Sequence, residues 1–414
     1  MRFAIVGGGI AGLTAARLLS RRHEVTLFEA DRHLGGHTNT IAVDTGEREL
    51  QVDTGFMVFN DRNYPNFEAL LRQLGVAWQP SDMSFSVSDE RGEFEYSSAS
   101  PNGLFAVRRH AITPWFHRMV TDVVRFQRAA RALLEEDDDH LSLREWLERQ
   151  RFSPAFIERL IVPQVSAVWS ADPAALWSFP ARFLARFFDN HGMLSLTGRP
   201  RWRTISGGAA RYVEALSEPF ARRVRLRCPV RSVSRAQDHV LVRTDAFGAE
   251  RFDHVVIATH SDQALALLAD ASQREREILG AIPYQPNEAV LHTDSRLLPR
   301  RRRAWASWNY HLLGEERPAP TVTYHMNRLQ SLRCEHELCV TLNLTERIRP
   351  ERVISRMSYA HPVFTEAGLR AQRRVDEISG RDRTHYCGAY WGWGFHEDGV
   401  NSALRVAARF GERL

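Results

Sequence analysis

The stretch from Arg2 to Gly36 restricts the fold more than any other part of the chain. Phe3 to Val6 is a short apolar run suited to a buried parallel strand, and Gly7-Gly8-Gly9-Ile10-Ala11-Gly12 follows at once in the spacing G-x-G-x-x-G. Gly7 permits the tight turn, Gly9 lets a pyrophosphate approach the backbone, and Gly12 lets a helix pack close to the strand. Leu13, Ala16, Leu18 and Leu19 recur with helical spacing, so the opening amides of that helix and its dipole point at the phosphates. Val25 to Phe28 restarts strand character and ends at Glu29, an acid placed to accept both hydroxyls of an adenosine ribose. Strand, glycine turn, helix, strand and acid in this order make a dinucleotide site rather than a lone glycine pattern.

At 414 residues the chain is long enough for two domains, and 43% hydrophobic with 25% charged residues is an ordinary globular composition. No window approaches eighteen uninterrupted apolar residues, and the first strand begins at residue 2, so neither a spanning helix nor a signal peptide is expected. Four scattered cysteines do not make a disulfide framework, which fits a cytoplasmic setting. Cys334 and Cys339 lack a second pair of ligands and read as incidental thiols, so no metal is expected. The net charge is +5, and every basic side chain other than histidine is arginine; a codon preference is the favoured reading of the missing lysine. Arg300 to Arg303 reads as a solvated loop or, less favoured, as a patch for phosphate headgroups. No nucleic-acid motif accompanies it, so no nucleic-acid partner is expected.

Further along, Thr38 to Asn60 reads as two short strands around Asp44 to Glu47, Pro65 to Gly75 as a helix, and Ser84 to Ser88 with Glu93 to Ser97 as a hairpin. Residues 104 to 192 are predominantly helical. Trp115, Phe116, Met119, Val120, Val123, Phe126, Ala130, Leu133 and Leu134 form an apolar stripe, with Arg118, Arg125, Arg128 and Arg131 largely apart from it. Core packing is the preferred reading and contact with an anionic membrane surface the rival. Glu135 to Asp139 reads as a solvated loop, Ser142 to Glu145 as a capping box, and Ser153-Pro154 and Asp172-Pro173 as helix starts. After Gly207-Gly208 comes a helix through Tyr212, Val213 and Leu216, then short strands at Val224 to Leu226 and Pro229 to Val233. A small meander ends in the buried strand Val255 to Ala258, followed by Thr259 and His260. Strands are expected at Ala289 to Thr293, Ala304 to Tyr310, Thr321 to Met326 and Leu338 to Leu344, their aromatics facing a pocket or the core. A strand at His385 to Tyr390, a glycine-rich turn and a helix through Val400, Ala403, Leu404 and Ala407 close the chain.

Leu34-Gly35-Gly36-His37, following Glu29, resembles the E-x-x-x-x-x-G-G extension of flavoproteins in the amine oxidase and phytoene desaturase superfamily. Gly207-Gly208, Ala258-Thr259, and Gly388 with the segment Gly394 to Glu397 are similar to further motifs of that superfamily. The chain departs from the pattern at His37, where arginine is usual, at His260, where glycine is usual, and at Tyr390, where an acid is usual. It also has no lysine to hold a water at the flavin. The resemblance implies FAD as cofactor and an α/β fold: a Rossmann-like FAD-binding domain with a discontinuous substrate domain of helices plus mixed β-sheet. Residues 1–75, 200–262 and 380–414 would form the first, and 76–199 and 263–379 the second, with a helical insertion about 104–192. Cofactor contacts are implied for Gly7, Gly9, Ala11, Gly12, Glu29, Ala30, Gly35, Gly36, His37, Thr38, Val230 at the adenine, Ala258, Thr259, Gly388, Phe395, His396 and Glu397.

At whole-chain scale the sequence resembles bacterial FAD-binding oxidoreductases whose genes accompany cyclopropane-fatty-acid-synthase-like methyltransferases. Asp53 to Asn60, Ser81 to Asp89, Phe187 to Gly192, Asn287 to Tyr310 and Gly388 to Gly399 carry that likeness. It implies hydride removal from an apolar substrate, a fatty-acyl chain of a membrane lipid. Peripheral contact with the inner membrane face and a lipid methyltransferase partner go with it. The alternatives are an amine oxidase or carotenoid-desaturase-like enzyme, and a non-catalytic flavin-containing accessory protein of such a methyltransferase. His260, Glu288 and Tyr310 are the candidate catalytic groups, because each can exchange or donate protons.

Overall fold

The apolar run Arg2–Val6 becomes the central strand of a five-stranded parallel sheet, seen in a computed structural model that describes residues 1–136, 141–169, 175–195, 197–315, 317 and 319–414. The strand order is Val224–Arg225, Glu24–Phe28, Arg2–Val6, His254–Ile257, Thr384–Tyr386, with Ile5 level with Leu27 and Val256. Alternation along the central strand feeds two cores. Phe3 and Ile5 pack with Leu13, Ala16, Val400 and Ala403, whereas Ala4 and Val6 pack with Val233, Val240, Val242 and Phe252. Both faces are covered, which is why the strand reads as a continuous apolar run rather than an alternating one. The second core draws on a three-stranded antiparallel meander, Val230–Arg235, Val240–Thr244 and Gly248–Phe252. The fold class is thus α/β with a Rossmann-like nucleotide unit.

A seven-stranded sheet forms the other half, in the order Val353–Pro362, Tyr284–His292, Cys339–Leu342, Val322–His325, Trp308–Leu312, Phe85–Asp89, Glu95–Ser97. The expected strand Ala304 to Tyr310 starts only at Trp308, because Arg302–Ala304 is a 3-10 turn. Val224 to Leu226 and Pro229 to Val233, expected as successive short strands, enter different sheets, and Arg227 turns the chain between them at φ +50°. The edge strand Val353–Pro362 was not anticipated from the sequence.

The helix Pro114–Glu135 buries Phe116, Met119, Asp122, Phe126, Gln127, Ala130 and Leu133, so most of its stripe is core packing, while Val120 and Val123 line a cavity. Arg118 and Arg125 pair with the buried Asp122. Arg300 to Arg303 is tied to Glu90, Glu95, Glu337 and Ala106 at the surface, with Arg302 still largely exposed. Ser142 with Glu145 forms a capping box and Ser153 caps its helix. Glu135 and Glu136 are exposed; the rest of that acidic run, and Asp172-Pro173, lie outside the described residues.

Asp53 joins the two halves. Its buried carboxyl accepts from Thr40 Oγ1 at 2.6 Å, from the Ala209 amide at 2.9 Å and from Gln330 Nε2 at 2.9 Å. Burial pushes this carboxyl up to about 7, against the pull of its Thr40 and Ala209 donors. Asp53→Ala strands the Ala209 amide and the Gln330 amide group. It is expected to cost roughly 1–3 kcal/mol, read as a lower denaturant midpoint at unchanged slope.

Candidate cofactor and substrate site

Where the central strand ends, Gly7 turns the chain at φ +106°, and the Ala258 carbonyl lies so close that a side chain there would meet it at 2.8 Å. A Cβ on Gly12 would stand 2.0 Å from the Gly7 carbonyl oxygen, so Gly12 sets helix-to-turn packing and does not reach the cavity. A Cβ on Gly9 would meet nothing within 4 Å. Space is therefore kept over Gly9, where a pyrophosphate needs it.

Glu29 ends the second strand with its carboxylate pinned to the turn. Oε2 accepts from the Gly8 amide at 2.6 Å and Oε1 from the Asp31 amide at 2.9 Å, which leaves lone pairs for ribose hydroxyls. The Gly35 amide donates to the Gly8 carbonyl at 2.8 Å, drawing the second glycine pair onto the first turn.

These elements open onto one cavity of about 1740 Å³. Ligand pockets commonly hold about 300–1,000 Å³, so there is room for a dinucleotide and a second molecule. Gly7, Gly9, Ala11, Glu29 and Ala30 line one end, with Val230, Ala258 and Thr259 beside them. Gly35, Gly36 and His37 continue the wall, and Gly388, Phe395 and His396 approach it from the closing strand and helix. The residues present thus fit FAD: an open phosphate seat, a fixed ribose acceptor and a continuous wall drawn from four distant parts of the chain.

Thr38 and Glu397 stand behind this wall. Thr38 Oγ1 hydrogen-bonds Tyr212 Oη and His396 Nε2, and Tyr212 Oη lies 2.9 Å from the same nitrogen. Burial, with His37 adding to it, holds the His396 imidazole neutral, and its ring stacks on Phe56 at 3.5 Å. Glu397 accepts from the Asn66 and Phe67 amides at 3.1 and 2.8 Å. Its carboxylate therefore clasps the start of the helix Pro65–Gln73 instead of reaching a ligand.

Of the three catalytic candidates, only His260 lines the cavity. Glu288 is exposed and leaves the set: strand alternation turns it outward while its neighbour Asn287 is buried. Tyr310 is 5% exposed and packs in the core rather than at the cavity wall. The sequence reading missed Met357, Tyr359 and His361, which the edge strand contributes to the wall. Val353, Ser355 and Met357 are half-buried between exposed neighbours, but Val353 and Ile354 are both apolar and Ser355 is polar, so the sequence carries no matching alternation.

Away from the glycine turn the cavity becomes an apolar chamber. Val120, Val123 and Phe126 of the long helix face Phe156, Trp169, Phe187, Trp308, Phe364 and Trp393. Among the described lining residues the carboxylates are Glu29 and Asp31 at the nucleotide end, and Asp82, which already accepts from Ser84 and Ser307.

A family model described as flavin containing amine oxidoreductase matches residues 10–313. The carotenoid phi-ring synthase of Streptomyces griseus is 29% identical over 317 residues, which cover 72% of this chain and 59% of that protein. A Mycobacterium tuberculosis protein named as a flavin-containing monoamine oxidase is 28% identical over 256 residues, or 59% and 54% of the two chains. The chain thus spans less than two thirds of the length of these relatives. A crystal structure of a CLA-producing fatty acid isomerase from P. acnes superposes over 99% of this chain and 98% of that one, with TM-score 0.71 at 17% identity, and shares its fold.

Proposed function

Because the chain belongs to the flavin-containing amine oxidoreductase family and is an FAD-dependent oxidoreductase, we propose that its substrate is apolar, a fatty-acyl chain of a membrane lipid from which hydride is removed. The observation that carries this reading is the chamber, whose walls are mainly aliphatic and aromatic and hold no uncommitted carboxylate among the described residues. An ammonium substrate would enter it without a counter-charge, a costly burial. When bound, FAD supplies the hydride acceptor. The chain itself supplies the rest. Glu29 and the glycine turn fix the nucleotide end, the neutral His396 closes the wall without adding charge, and the chamber aligns an acyl chain while excluding water.

Val124 is both a wall residue and 41% exposed, so the chamber reaches the surface beside the helix Pro114–Glu135. We place lipid entry there, with peripheral contact at a membrane. No helix among the described residues is long and apolar enough to cross one. Partnership with a lipid methyltransferase is part of the same proposal and rests on the whole-chain resemblance to oxidoreductases whose genes accompany such enzymes. A carotenoid substrate is the second reading, favoured by the phi-ring synthase relative.

Anaerobic mixing of the FAD-loaded protein with extracted bacterial lipid, with a carotenoid and with aliphatic amines separates the readings. Loss of oxidised-flavin absorbance with lipid is expected. Bleaching by amines alone would defeat the proposal, and no bleaching by any of them would favour an accessory role. Val123→Asp places a carboxylate in the chamber, so bleaching by the apolar substrate should slow by more than about tenfold, with FAD uptake unchanged.

A further inference from the structure

We propose that His37, His260 and His361 form the phosphate-facing part of the cofactor cradle and take up a proton from solvent when FAD binds. The inference deepens the FAD reading and rests on it. All three imidazoles line the cavity. Their ring centroids lie 5.7 Å apart for His37 and His260 and 5.3 Å for His37 and His361. Both His37 and His260 border the glycine turn. His37 follows Gly36, where an added Cβ would come within 3.3 Å of Gly9 Cα, and His260 lies two residues past Ala258, whose carbonyl abuts Gly7.

Each ring is held in place. His37 Nε2 lies 3.1 Å from the Ala360 carbonyl, His260 stacks on Tyr284 at 4.5 Å, and His361 Nδ1 lies 3.1 Å from Asn287 Nδ2. Burial pushes His37 and His260 down to about 4 and His361 to about 3, and each ring disfavours charge on a neighbour. Without FAD the cluster is therefore uncharged at neutral pH.

The pyrophosphate diester of FAD carries two negative charges that do not titrate near neutrality. The fixed cations among the described lining residues, Arg32, Arg199 and Arg356, are all exposed and screened by water. Other ionisable groups stand around the cluster. Tyr359 and Tyr284 are held neutral by burial, and His396 is neutral as well. Glu29 is engaged by the turn, Asp31 and Arg32 are exposed on the loop before His37, where the cavity-lining His33 pairs with Asp31 at 3.6 Å, Asp262 follows His260, and Glu288 points outward. An opposite charge within about 4–6 Å raises a pKa by about 1–3 units, enough to bring one imidazole into the range from about 5 to 7.

Titration calorimetry of the cofactor-free protein with FAD, in paired buffers of small and large ionisation enthalpy, counts the protons. For an imidazole raised to about 6–7, about 0.7 proton or more per FAD is expected at pH 5.5, falling towards zero at pH 8, and Kd should tighten about four- to twenty-five-fold from pH 7.5 to pH 5.5. His37→Gln keeps a donor for the Ala360 carbonyl but cannot take a proton, so uptake should fall and the pH dependence flatten. His37→Arg carries a fixed charge and should bind FAD with a flat pH profile and no uptake. FAD binding without proton uptake, or uptake unchanged in both His37→Gln and His361→Gln, would overturn the proposal. Uptake on flavin reduction instead of on binding would overturn it too, by placing the cluster at the ring. Failure to bind FAD at any pH would overturn the cofactor reading itself and this inference with it.

Discussion

Glu29→Ala is expected to weaken FAD binding by about tenfold to over a hundredfold, the loss of charge-assisted hydrogen bonds worth roughly 1.5–3 kcal/mol. The carboxylate acts twice: it receives the Gly8 amide at 2.6 Å, holding the glycine turn, and it offers its remaining lone pairs to the ribose. Removing it therefore loosens the turn as well as the ligand. Glu29→Gln separates the two roles, because the amide oxygen can still accept from Gly8 while the charge is gone; an intermediate loss is expected. Flavin fluorescence titration measures both variants, and undiminished affinity in Glu29→Ala would remove the ribose assignment.

Gly9→Ala should leave the fold alone and abolish most cofactor binding. The backbone at Gly9 is extended, φ −76° and ψ 179°, which alanine adopts freely, and the added methyl meets no protein atom within 4 Å. Thermal unfolding of the cofactor-free variant is expected within about 0.5 kcal/mol of the parent. The methyl instead fills space reserved for the pyrophosphate, so affinity should fall by more than about tenfold, or 1.4 kcal/mol. Gly12→Ala makes the contrast, since its Cβ would stand 2.0 Å from the Gly7 carbonyl and force the helix off the turn. Its loss should appear first in stability. Equal melting losses in the two variants would contradict the division of labour between these glycines.

The nucleotide end of the site was legible in the sequence because every signal there is local: a strand, a turn, a helix and an acid within the first 29 residues. The closing segment from Gly388 to the helix His396–Ala408 was legible by resemblance, and it reaches the same cavity. What escaped depends on partners distant in sequence. Val353–Pro362 alternates between exposed and half-buried positions and ends in proline, so no apolar run announces a strand; nine residues of pairing with Tyr284–His292 define it. Glu288 was misplaced because parity along a strand is invisible until its register is known, and here Asn287 takes the inward position. Glu397 sits beside His396 in sequence yet serves another helix, because successive residues at a helix start point in different directions. The apolar chamber could not be told from core in advance, since the same Val and Phe stripe both packs the helix and, at Val120 and Val123, lines open space.

A crystal structure of the protein loaded with FAD tests the central claim most directly. It should show one cofactor per chain, its ribose on Glu29, its pyrophosphate against Gly9 and its ring between the start of the closing helix and the chamber bounded by Val123, Phe187 and Trp393. Density for FAD elsewhere, or a ring turned away from that chamber into solvent, would contradict it.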